Sequence, residues 1–223
     1  MSLTTIAISG FSSDAGKTML LCKLLRAFPG WEAIKITRGH YRSCGKDPHT
    51  CCVSHMLSVE PVIRSGRDET YTRGKDTGRY WDAGASNVHW LIVTDEQVEQ
   101  GINLALKRVK ASGVFIEGTS FLKYRDVDFA LMAARPEGGR IKPSARRVLP
   151  KTSAIYLFNE GENESEGARE RFASWIGTTV DAALLDKLPL YAAQDLPQLI
   201  ARIQAISGSV VVGARTPHIT TSG

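Results

Sequence analysis

The stretch that most constrains this chain is Gly10-Phe11-Ser12-Ser13-Asp14-Ala15-Gly16-Lys17-Thr18. An apolar run, Ile6-Ala7-Ile8, leads into it, and Met19-Leu20-Leu21-Cys22-Lys23-Leu24-Leu25 continues from it with a helical pattern. A strand, a glycine loop closing on Gly-Lys-Thr and a helix form the setting of a phosphate-binding loop. Glycines let backbone N–H groups approach phosphate oxygens, and the helix start adds free donors and a positive dipole end. Gly10, Ser12, Ser13, Asp14, Ala15 and Gly16 are then the candidate cradle. Lys17 would reach the β- and γ-phosphates, and the Thr18 hydroxyl would ligate Mg²⁺. The spacing departs from the common form, because five residues rather than four separate Gly10 from Gly16, and Phe11 stands where a glycine usually lies.

A chain of 223 residues suits one α/β domain with a substantial core. We expect that domain to run over 1–215, with a Cys/His-rich insert near 38–77 and a loose tail from 216 to 223. Hydrophobic residues at 43% and charged residues at 23% match a water-soluble globular protein. No apolar run approaches the roughly 18 residues of a membrane span, and Met1-Ser2-Leu3-Thr4-Thr5 lacks the features of a signal peptide. The expectation is a cytoplasmic protein that engages no membrane. A net charge of +5 suits anionic ligands, but without an array of stacking aromatics it does not argue for nucleic acid. Four cysteines in such a chain read as thiols or metal ligands rather than disulfides.

Strand patterns recur at Ile6–Ser9, Ala33–Ile36, Val88–Val93, Gly113–Gly118, Val127–Ala134 and Ser153–Phe158. Helical patterns fall between them. The first stops at Pro29-Gly30, and a short one covers Tyr80–Ala85. Thr94 and Gln97 form a capping box ahead of Val98, Ile102, Leu106 and Val109. Later helices are read at Glu164–Trp175 and after Asp195, with Gly208 closing the last, and Ser209–Gly213 reads as a final edge strand. The segment from Arg38 to Thr77 reads as irregular, with one apolar island at Pro61-Val62-Ile63, and 135–151 as a basic loop carrying Arg140, Lys142, Arg146 and Arg147. Alternating strands and helices predict a three-layer, doubly wound, mostly parallel sheet.

Ligands of such sheets sit beyond the carboxyl ends of the strands. That rule gathers the glycine loop, Lys35, Glu117 and Asn159 at one edge. Mg²⁺ takes one or two carboxylates with phosphates and water, so Glu117 and Asp76 are candidate ligands beside Thr18. Lys35 would neutralise transferred charge, and Asn159 could hydrogen-bond a nucleotide base. A second constellation is His40, Cys44, His49, Cys51, Cys52 and His55. Thiolates and imidazoles are ligands for Zn²⁺, with Ni²⁺ or an Fe–S cluster as alternatives, although the spacing matches no standard finger. Cys22 reads as a small core residue.

Several of these pieces together resemble two families of P-loop NTPase. The loop GFSSDAGKT resembles that of dethiobiotin synthetase and of the molybdopterin-guanine dinucleotide biosynthesis protein B family, both of which space their glycines in this way. Gly74-Lys75-Asp76-Thr77 through Ala83-Gly84-Ala85 resembles the GKDS…AGA block of the second family. Ile116-Glu117-Gly118 resembles the acid-glycine strand end of both, and Ala33-Ile34-Lys35-Ile36-Thr37 their lysine-bearing second strand. The resemblance implies a nucleotide-binding domain with Mg²⁺ on Thr18, Asp76 and Glu117, often dimeric. Three functions follow as expectations. One is slow, Mg²⁺-dependent hydrolysis of GTP or ATP in support of a cofactor-biosynthesis protein of the molybdenum pathway. Another is a metal-handling GTPase using the Cys/His loop. A third is an ATP-dependent ligase or kinase whose Lys35 and basic loop hold an anionic second substrate.

Overall fold

The computed structural model describes residues 2–39, 53–159, 167–177, 179–180 and 187–208. Eight strands form one sheet: β1 (Thr4–Gly10), β2 (Glu32–Arg38), β3 (Val62–Ser65), β4 (Val88–Val93), β5 (Gly113–Glu117), β6 (Phe129–Ala134), β7 (Ala154–Leu157) and β8 (Leu190–Tyr191). Their order across the sheet is β3-β4-β2-β5-β1-β6-β7-β8. Every neighbouring pair is parallel except β3 with β4. Parallel pairing needs long crossovers, which the helices supply: α1 (Lys17–Ala27), α2 (Arg67–Thr70), α3 (Asp76–Asp82), α4 (Val98–Leu106), α5 (Pro143–Val148), α6 (Ala168–Ile176) and α7 (Leu196–Ser207).

All seven residues of β1 are buried, as a strand covered on both faces requires. Alternate side chains point to opposite faces, and the two faces hold separate cores. Ile6 and Ile8 pack with Leu20, Leu21 and Leu24 of α1, Tyr80 of α3 and Ile203 of α7. Ala7, Ile34 and Ile116 pack with Ile102 of α4, Val148 of α5 and Phe172 of α6. The result is the three-layer α/β architecture expected from the alternation of strands and helices. Among the described residues no helix is long and apolar enough to cross a membrane.

The differences from the sequence reading are local. The island at 61–63 is β3, an antiparallel edge strand that pairs Ile63 with Leu91, and α2 follows it. The helix expected from Tyr80 begins four residues earlier, at Asp76. α4 starts at Val98 behind Gln97 with no side-chain cap of its own, but the Gln97 side chain accepts the Thr94 N–H at 3.0 Å, one of the two bonds of the expected capping box. The basic loop contains α5, opened by Pro143 at a position where a missing N–H costs nothing. The edge strand expected at 209–213 lies outside the described residues, and β8 is a short strand that the pattern did not indicate.

At the amino end of β2 the buried Glu32 binds His89 of β4 at 2.7 Å and accepts the backbone N–H groups of Lys110 and Ala111 at 2.9 Å each. Ser65 of β3 completes the chain with a 2.8 Å contact to the other His89 nitrogen. Burial pushes the Glu32 carboxyl up, but these hydrogen bonds outweigh it and the net shift is downward. Glu32→Ala would orphan a buried imidazole and two N–H donors at a cost of about 3 kcal/mol. At about 2–4 °C per kcal/mol for a chain of this size, the melting temperature drops by roughly 10 °C. Thermal unfolding followed by circular dichroism checks this, and a drop under 2 °C contradicts it.

Candidate phosphate and metal site

β1 ends at Gly10, α1 starts at Lys17, and the loop between them lies at the carboxyl edge of the sheet. Phe11 is buried against the rings of Phe172 and Trp175, with centroids 6.3 and 6.1 Å away. The unusual aromatic is therefore the loop's anchor in the core behind it. Ala15 is buried, while Ser13 and Asp14 are exposed at the tip. Gly16 has φ +80°, and a Cβ there would lie 2.0 Å from the Phe158 ring, so both conformation and space demand glycine.

Lys17 folds over this loop. Its Nζ donates to the carbonyls of Ser12 and Ser13 at 2.9 and 2.8 Å. Lys142 donates to the Ser13 hydroxyl at 2.7 Å, and Arg135 to the Asp14 carbonyl at 2.8 Å. Burial lowers the Lys17 pKa, and Lys35 and Lys142 reinforce this against the opposing pull of Glu117.

At the second residue of α1, the Thr18 hydroxyl lies 2.9 Å from Glu117 Oε2 and 3.2 Å from Asp76 Oδ1. The β2–β5 register sets Lys35 directly beside Glu117. Lys35 Nζ bridges Glu117 Oε1 and Asp76 Oδ2 at 2.5 Å each. Tyr80, fully buried on α3, donates its hydroxyl to Glu117. Asp76 is the first residue of α3 and Tyr80 stands one turn later, so a single helix brings both to the same carboxylate site. Gly78 lets that helix pack close, since a Cβ there would meet the Thr72 carbonyl at 2.1 Å.

The charges explain the protonation states. Burial lowers the Lys35 pKa, but the Glu117 and Asp76 carboxylates outweigh it and hold the ammonium above its ordinary value. Burial raises Asp76, but Lys35 and Thr18 bring it below the usual carboxylate range. Burial first, and Glu117 next, push Tyr80 well up, so it stays a phenol and a donor. One ammonium faces two carboxylates, which leaves an excess negative charge among oxygen ligands. That suits a small, hard cation.

A cavity of about 520 Å³ opens in front of this cluster, lined by Gly16, Lys17, Thr18, Asp76, Arg79, Arg135 and Phe158 among others. That volume is in the range of cofactor sites. Arg135 lies over the Phe158 ring at 5.8 Å. Asn159, half-buried at the end of β7, is the next residue along. Sequence reasoning had not singled out Tyr80, Arg79 or Phe158. The helical offset of the first two from Asp76 was the available signal.

Among the transition-metal candidates, His40, Cys44, His49, Cys51 and Cys52 lie outside the described residues. His55 is exposed on a 3₁₀ turn, Ser54–Met56. The described residues contain no group of three or more His, Cys, Asp or Glu side chains placed to hold a metal. Cys22 is buried, with its thiol pushed up to about 11 by burial, as an inert core residue should be.

No family model and no curated protein matches the chain. Among solved structures, the "apo" form of LpxK from Aquifex aeolicus in complex with ATP aligns with 16% identity and a TM-score of 0.44. The alignment covers 86% of this chain and 54% of that one, so the chain spans about half the length of LpxK.

Proposed function

We propose that the chain binds a nucleoside triphosphate with Mg²⁺ and activates its γ-phosphoryl group. The observation that carries this reading is the convergence of Thr18, Asp76 and Glu117 on one cationic point, held by Lys35, beside the Lys17 loop. The residues fit Mg²⁺: all the ligands are oxygens, and the Lys35 ammonium already stands as a cation between two of them. Bound there, the metal would neutralise phosphate charge. Lys17 would exchange its two carbonyl partners for the β- and γ-phosphates. Gly16 and the first turn of α1 would direct N–H groups at the same oxygens. Catalysis would consist mainly of positioning and charge neutralisation. Phe158 and Arg135, with Asn159 next in line, would offer the base a stacking surface and polar partners.

The narrower form of the proposal is GTP- or ATP-fuelled support of molybdenum-cofactor assembly. It rests on the block at 74–85, whose Asp76 contacts Thr18 and Lys35. Calorimetric titration with GTP and with ATP, each with Mg²⁺ and with EDTA, tests the core reading. Saturable binding strengthened by Mg²⁺ is the expected result. No binding of either nucleotide would end it.

A further inference from the structure

A second, smaller cavity of about 160 Å³ lies on the other side of Lys17 and Lys35. Lys17, Lys35 and Glu117 line both it and the larger cavity, so the two meet at the side chains where a γ-phosphate would end. Arg38 and Lys142 complete its cationic wall. It shares the lining residues Arg38, Ser120 and Ser144 with a further cavity of about 160 Å³, to which Lys123, Tyr124 and Arg147 contribute.

The charge balance of these two adjoining cavities is strongly positive. Their carboxylates are Glu117, which already binds Lys35, and Asp95, which pairs with Arg38 at 2.6 Å. Among the described residues the Lys142 ammonium meets the neutral Ser13 hydroxyl and no carboxylate. Arg147 is exposed and pairs with no carboxylate among the described residues. Tyr124, Val98 and Val148 give the far end an apolar side. Nucleotide binding at the loop uses none of Arg38, Lys123 or Arg147.

We propose that these adjoining cavities form an acceptor site for a small hydroxyl compound bearing a phosphate or carboxylate group. The inference rests on the nucleotide reading above. Arg147 holds the anionic group at the far end, the apolar side there receives the uncharged body, and the hydroxyl faces Lys17 and Lys35. In the transfer, the acceptor oxygen forms a bond to the γ-phosphorus. The bond from that phosphorus to the β–γ bridging oxygen breaks, and the nucleoside diphosphate leaves with the electron pair. The hydroxyl proton passes to solvent.

The experiment first saturates the full chain with Mg²⁺ and a β,γ-imido nucleotide, then titrates glycerol 3-phosphate and, separately, glycerate. Binding of one or both at millimolar concentration or below is expected, and the arm that responds identifies the anionic group. Arg147→Glu weakens that binding at least tenfold, and Arg147→Gln weakens it less but in the same direction. Lys107→Glu, an equal charge change on an exposed residue beyond α4, does not. If the imido nucleotide fails to bind, both proposals fall. If it binds but neither probe does, or if Arg147→Glu and Lys107→Glu behave alike, the acceptor site alone is overturned.

Discussion

Lys17→Ala weakens nucleotide affinity at least 100-fold and leaves the fold intact. Lys17 brings an ammonium to the mouth of β1, and in the structure that ammonium already makes two short hydrogen bonds to carbonyl oxygens of the loop. Exchanged for phosphate oxygens, each bond becomes charge-assisted on both sides, worth about 1.5–3 kcal/mol. Losing two of them costs roughly 3–6 kcal/mol, which corresponds to about 100- to 20,000-fold in dissociation constant. The Ser12 and Ser13 carbonyls left behind sit on a partly exposed loop and return to water. Unfolding temperature should therefore move by no more than a few degrees. Titration of the variant with GTP and ATP in Mg²⁺ decides the matter: affinity within tenfold of the parent would contradict the phosphate-loop assignment.

Lys35→Met acts on stability and on metal response together. It strips the cation from Glu117, which is 2% exposed, and leaves that carboxylate with only hydroxyl partners. Removing one partner of a buried pair costs about 3–5 kcal/mol. The share belonging to Asp76, whose side chain is 40% exposed, is screened by solvent and smaller. Mg²⁺ alone, without nucleotide, then raises the melting temperature of the variant more than that of the parent, because no ammonium competes for the same oxygens. The pH dependence carries the same signature. Asp76 is depressed in the fold, so its contribution is present above its ordinary value of 3.8 and fades as pH falls through its lower folded value. Lys35 is raised, so its contribution is complete below its ordinary value of 10.5 and fades only as pH climbs through its higher folded value. The parent should therefore lose stability on the acid side as Asp76 takes up its proton. In Lys35→Met the largest cause of that depression is gone, so the acid-side loss is smaller. Urea unfolding from pH 3 to 8, with and without Mg²⁺, measures both effects. Equal stability and equal Mg²⁺ response in the two proteins would show that Lys35 does not share the site of the metal.

The parts legible in the sequence are those whose cause is local. The glycine loop, the strands β1, β4 and β5 and the Gly208 stop of α7 follow from adjacent residues and their periodicity. The elements hidden from that reading are short or set by distant partners. β3 covers four residues, all only partly buried, and exists because Ile63 pairs with Leu91 of β4. The arginines of 140–147 masked α5, although Pro143 and the buried Ala145 and Val148 have helical spacing. In the site, Glu117 is readable as a strand-end acid. Asp76 by itself was one acid in a polar stretch, and the family resemblance singled it out. Tyr80 is marked locally by nothing but its one-turn offset from Asp76, since its role is created by a carboxylate 37 positions away.

The separations within the cluster also bear on how the protein comes into being. Thr18 meets partners 58 and 99 residues along the chain, and Lys35 meets its own 41 and 82 residues along. Closing such loops costs entropy before any contact repays it. A nascent chain therefore has its glycine loop long before it has a site. The site is assembled only when β5 inserts between β1 and β2 at the centre of the sheet. Competence to bind ligand is consequently a late event in folding and reports that the middle of the sheet has closed.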